Sequence, residues 1–87
     1  MKMNYKQEQL VKELFDNVKL KYPEIVFKDL SVSPDDPDNI WINIIADMKE
    51  DREMEMMHFC SSLECEIEEK FGYAISVMPN NPSLVFA

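Results

Sequence analysis

Apolar side chains fall at Leu10, Val11, Leu14, Phe15 and Val18, the spacing of one face of a helix. Asn4 and Gln7, three residues apart, form a capping-box variant in which each side chain can satisfy an N–H of the first turn. Tyr22 continues the stripe and Pro23 stops it. The pattern then changes. Glu24 to Ser33 carries Ile25, Val26, Phe27, Leu30 and Val32, a strand whose imperfect alternation leaves room for a bulge or a late start. Pro34-Asp35-Asp36-Pro37-Asp38-Asn39 reads as a tight acidic turn. Ile40-Trp41-Ile42-Asn43-Ile44-Ile45-Ala46 is the strongest strand signal, β-branched and apolar at every position but Asn43, as in a central strand.

Asp47 and Glu50 form a second capping-box pattern, predicting a helix over Met48–Phe71 with Gly72 as its left-handed C-terminal cap. Tyr73–Met78 alternates cleanly and stops at Pro79, giving a third strand. Asn80–Ala87 reads as a tail carrying the short apolar patch Leu84-Val85-Phe86. The order is α-β-β-α-β. A hairpin of the first two strands and a crossover helix into a parallel third strand predict an α+β two-layer sandwich. It has a three-stranded mixed sheet with both helices on one face.

The 87 residues suit a single domain, 1–87, at roughly 100–200 residues per domain. The longest apolar run is far short of a membrane span, so no membrane partner is expected. The opening Met1-Lys2-Met3-Asn4-Tyr5-Lys6 turns polar at once, unlike a secretory signal. With two cysteines, that points to a reducing, cytoplasmic setting. Seventeen acids stand against nine bases, a net charge of -8, which argues against nucleic acid as a partner. The single glycine, Gly72, excludes glycine-rich phosphate loops and the nucleotide cofactors they hold.

The second helix holds most of the side chains that could carry chemistry. Met56, Phe59, Cys60, Leu63, Ile67 and Phe71 share its core face, whereas Met54, His58 and Cys65 point elsewhere. Cys60 and Cys65 project about 140° apart and cannot bridge each other on an intact helix. Met54 and His58 can meet as soft ligands, but Cys65 lies about 10 Å further along, so no metal site closes. His58 and Ser62 lack an orienting third group and an oxyanion hole. Asp35, Asp36 and Asp38 sit in a proline-bounded turn too short to wrap a hard cation. No catalytic residue, metal ligand or cofactor site is therefore assigned.

The informative feature is a mismatch between faces and covers. If Ile40, Ile42, Ile44 and Ala46 face the helices, then Trp41, Asn43 and Ile45 face away, joined by Ala74, Ser76 and Met78 of the third strand. Phe27 and Asp29 complete that far face if Leu30 and Val32 point inward. Trp41, Ile45, Met78 and Phe27, with Asn43 and Ser76 near the centre, form a patch that two helices on the opposite face cannot cover. Such patches mark interfaces. Its occupant is a second copy, the tail, or a foreign protein.

The layout, with Val32-Ser33 ending the first strand and Asn39-Ile40-Trp41-Ile42-Asn43-Ile44-Ile45 forming the second, resembles the minimal nucleotidyltransferase domain. In that family a Gly-Ser pair and an Asp-x-Asp motif occupy these places. The resemblance is one of layout across most of the chain. The glycine is absent, and Trp41 and Asn43, or Asn39 and Trp41 in the other register, stand where the metal-binding acids would be. It implies at most a nucleotide-binding face without catalysis. The expected function is a small acidic, non-enzymatic interaction module that binds a protein partner or itself through Trp41, Asn43, Ile45, Ser76, Met78 and Phe27. A divergent, inactive nucleotidyltransferase-like domain is the alternative.

Overall fold

The computed structural model describes residues 3–82. The elements are α1 (Tyr5–Lys21), β1 (Val26–Val32), β2 (Asn39–Ile45), α2 (Glu50–Phe71) and β3 (Ala74–Asn80). The sheet order is β1-β2-β3, with β1 antiparallel and β3 parallel to β2. The fold is α+β in the order α-β-β-α-β, as the hydrophobic pattern predicts.

α1 begins with the capping box expected of it. The Asn4 side chain accepts the Gln7 N–H at 2.8 Å, and Gln7 Oε1 accepts the Asn4 N–H at 3.0 Å. Leu10, Val11, Leu14 and Val18 are buried along one stripe. The helix ends before Pro23, where Lys19 Nζ donates to the carbonyls of Pro23 and Ile25, a cation held at a helix C-terminus. Tyr22, 0% exposed, donates its hydroxyl to Glu55 of α2 at 2.7 Å. Glu24 and Arg52 form a two-pronged ion pair beside it. These contacts join the end of α1 to the start of α2.

β2 alternates in burial along its whole length. Ile40, Ile42, Ile44, Ile75 and Val77 form one core with the α1 stripe and with Met56 and Cys60 of α2. Both helices therefore cover the same face of the sheet, and the side chains between these strand positions point to the other face.

Three expectations are corrected. Asp47 and Glu50 do not cap α2: the helix starts at Glu50, with Lys49 at the cap and no side-chain cap bond. The preceding backbone is instead committed to the far end of the chain. Ala46 N–H donates to Asn80 O, and Asn81 brackets Met48 by accepting its N–H and donating to its carbonyl. The third strand does not stop at Pro79 but runs through it to Asn80. Val77 donates its N–H outward, to Glu64 of α2, so by the period of two residue 79 also points its nitrogen outward. A proline there removes no ladder bond. Asn80 and Asn81 are accordingly part of the folded unit rather than a tail, whereas Leu84-Val85-Phe86 lie outside the described residues.

The last correction concerns β1. Phe27 pairs with Ile44 and Asp29 with Asn43, so Lys28 is an extra residue and the strand is bulged. Phe27 therefore faces the helices. Its ring meets Phe15 edge-on, with centroids 5.7 Å apart.

Candidate functional site

The open sheet face is built from cross-strand rows. Ser31, Trp41 and Ser76 form one row, Asp29, Asn43 and Met78 the next, and Val26, Ile45 and Asn80 the third. Trp41, Asn43, Ile45, Ser76 and Met78 come together on this face, all half-buried, as the alternation predicts. Phe27 does not join them. The bulge exchanges it for Val26, which lies 53% exposed at the far end of the face.

The middle of the face is polar and internally satisfied. Asn43 Nδ2 donates to Asp29 Oδ1 at 2.7 Å and to Ser31 Oγ at 2.9 Å. Ser76 Oγ donates to Asn39 Oδ1 at 3.3 Å. Asn43 thus spends its donors on β1 and fixes the hairpin register, with an aromatic platform at one end and aliphatic groups at the other. The turn from β1 to β2 begins immediately beyond the Trp41 row. It is closed by Ser33 N–H to Asn39 O at 3.0 Å and Asn39 N–H to Asp36 O at 3.0 Å. Asp35, Asp36 and Asp38 are all exposed there.

Beyond the β3 edge lies a small notch lined by Asn39, Ser76, Glu64, Cys65 and Glu68. Burial holds the Glu64 carboxyl above its ordinary value, against the opposing effect of the Val77 N–H. The patterning gave no sign of Glu64 as an edge residue, because its partner is 13 positions away on another element.

The remaining chemical candidates fall apart in space or into the core. Cys60 is buried, and burial with nearby Glu64 pushes its thiol up to about 12, which leaves it unreactive. Cys65 is exposed on another face. Ser62 Oγ donates to the His58 carbonyl at 3.3 Å, the ordinary helical back-bond rather than a contact with the imidazole. Among the described residues, no group of three or more His, Cys, Asp or Glu is placed to hold a metal ion. Among the described residues, no helix is long and apolar enough to cross a membrane. At the positions that prompted the nucleotidyltransferase resemblance, Ser33 belongs to the turn bonding and Trp41 and Asn43 lie on the open face.

Comparison with family models, with curated proteins and with solved structures gives no match to this chain.

Proposed function

We propose that this chain is a small acidic interaction module, without catalysis of its own, that recognises a protein partner through the sheet face of Trp41, Asn43, Ile45, Ser76 and Met78. The observation that carries this reading is the one-sided architecture. Both helices pack on the Ile40–Ile42–Ile44 face, which leaves a half-buried tryptophan on the other side, in the row Ser31–Trp41–Ser76. Tryptophan is among the residues most enriched where binding energy concentrates, because one ring supplies a large rigid apolar area. The Asn43 clasp holds that ring's surroundings in one register without occupying its outer surface.

Site-directed photocrosslinking tests the reading. A photoreactive benzoylphenylalanine placed at Trp41, in cells that make the protein, is expected to give a discrete adduct. The same group at Glu69, exposed on α2, is not. No adduct from Trp41, or identical adducts from both positions, would sink the proposal.

A further inference from the structure

We infer that the occupant of the Trp41 face is an extended basic segment of a partner protein, with an arginine or lysine at the Trp41 end and aliphatic side chains over Ile45 and Met78. The inference rests on the proposed use of that face and adds the chemistry of what binds there.

Charge distribution is the first argument. Across Val26–Ile45 and Ala74–Asn80 there is one base, Lys28, against four acids, Asp29, Asp35, Asp36 and Asp38. The other described bases lie on α1, on α2 or at its start. Ion pairs among the described residues join Lys12 to Asp16, Arg52 to Glu24 and Lys70 to Glu66, and none involves the turn acids. The turn acids follow the Trp41 end of the face, while Glu64 and Glu68 border the notch next to Ser76, the cross-strand neighbour of Trp41. Lys28 sits in the bulge next to Asp29, between the Asn43 and Ile45 rows. With three acids in the turn and one base beside one acid further along, the face is most acidic at its Trp41 end. A cation over an indole, within reach of carboxylates, uses both the ring quadrupole and the ion pair.

Size is the second argument. Three strands at ~4.8 Å spacing and seven residues at ~3.3 Å rise give a face of roughly 300 Å². A stable globular interface takes about 800 Å² from each partner. The face suits a single extended segment better than a second copy of this chain. Strand addition at an edge is disfavoured on both sides: Pro79 and Glu64 close β3, and the bulge with Lys28 blunts β1.

Trp41 is the only tryptophan, so its fluorescence reports directly on the site. The test titrates the full chain with the peptide Arg-Ile-Arg-Ile-Arg-Ile and, separately, with Glu-Ile-Glu-Ile-Glu-Ile. Readouts are Trp41 emission and amide chemical shifts, at low and at high salt. The expected result is a response to the arginine peptide alone, mapped to Trp41, Ile45, Ser76 and Met78 and weakened by added salt. In the triple variant Asp35→Asn, Asp36→Asn, Asp38→Asn, binding should fall by about tenfold. The helix control Asp51→Asn, Glu69→Gln should bind as the parent does.

Arginine-peptide shifts that map to the acids of α2 would overturn the inference, as would undiminished binding to the triple variant. Equal binding of both peptides on the sheet face would remove the charge preference while leaving the face as a binding surface. A dimer in light scattering that is lost in Trp41→Ser would assign the face to a second copy and overturn it too. Silence from both peptides, together with no crosslink from Trp41, would remove this inference and the proposed function together.

Discussion

Glu64 of α2 accepts the backbone N–H of Val77 at 2.9 Å, a bond from the helix above the sheet to the outer edge of the strand beneath it. An edge strand otherwise presents unpaired N–H groups to any passing chain. Here one is taken by a carboxylate, and the next outward position is Pro79, which has none. Replacing Glu64 by alanine is expected to speed hydrogen exchange at the Val77 amide by about tenfold, the loss of one net hydrogen bond. Glu64→Gln, whose carbonyl can still accept, should keep exchange slow.

The same carboxyl sets a pH dependence. Burial raises its folded value above the ordinary 4.5, so the native state favours the protonated form. Its contribution to stability is therefore fully present below the unfolded value and is lost as pH rises through the folded one. Urea unfolding of the parent and of Glu64→Gln, from pH 4 to pH 7, should show the parent losing ground to the variant as pH rises. A constant difference across that range would contradict this account.

Asn81 is 6% exposed and brackets Met48 through both its amide nitrogen and its oxygen. Asn81→Ala leaves a buried N–H and a buried carbonyl to find other partners. A loss of about 2 kcal/mol is expected, read as a lower urea midpoint with an unchanged slope.

Tyr22→Phe removes a hydroxyl that donates to Glu55 from a fully buried ring. The expected cost is about 1 kcal/mol, because the partner carboxylate can return to water. Burial, helped by Glu55, pushes the phenol up to about 12. In an absorbance titration of the folded protein, the step assigned by this variant should therefore come near pH 12. A step near pH 10 would mean that the ring is not enclosed.

The two cysteines should separate cleanly in native-state thiol titration. Cys65 reacts with a disulfide reagent, while Cys60 reacts only after denaturant is added. Fast modification of both would show that the α2 core face opens readily.

Some of the molecule can be read from its residues and some cannot. β2 is legible because every other side chain is a branched aliphatic, and that alone places Trp41, Asn43 and Ile45 on the open face. Ser76 and Met78 follow from the clean alternation of β3. Phe27 is misplaced because Val26-Phe27-Lys28-Asp29-Leu30 fits either phase, and only pairing with β2 reveals that Lys28 is extra. Asp47 and Glu50 have the spacing of a capping box, yet the backbone before α2 is fixed by Asn80 and Asn81, more than thirty residues away. Local signals give way where two distant segments share one backbone group.

The extra residue in β1 has a consequence for how this chain tolerates changes in length. Before Lys28 the odd-numbered side chains, Ile25 and Phe27, point toward the helices; after it the even-numbered ones, Leu30 and Val32, do. Lys28 is a phase inverter. Deleting it alone would make Phe27 and Asp29 neighbours in an unbroken alternation, and both halves of β1 would keep their present sides of the sheet. Removing a second residue as well would carry one of the two halves onto the opposite side, turning Phe27 to the Trp41 face or sending Leu30 outward. Of two shortened chains, the one that has lost only Lys28 would keep its sides the right way round.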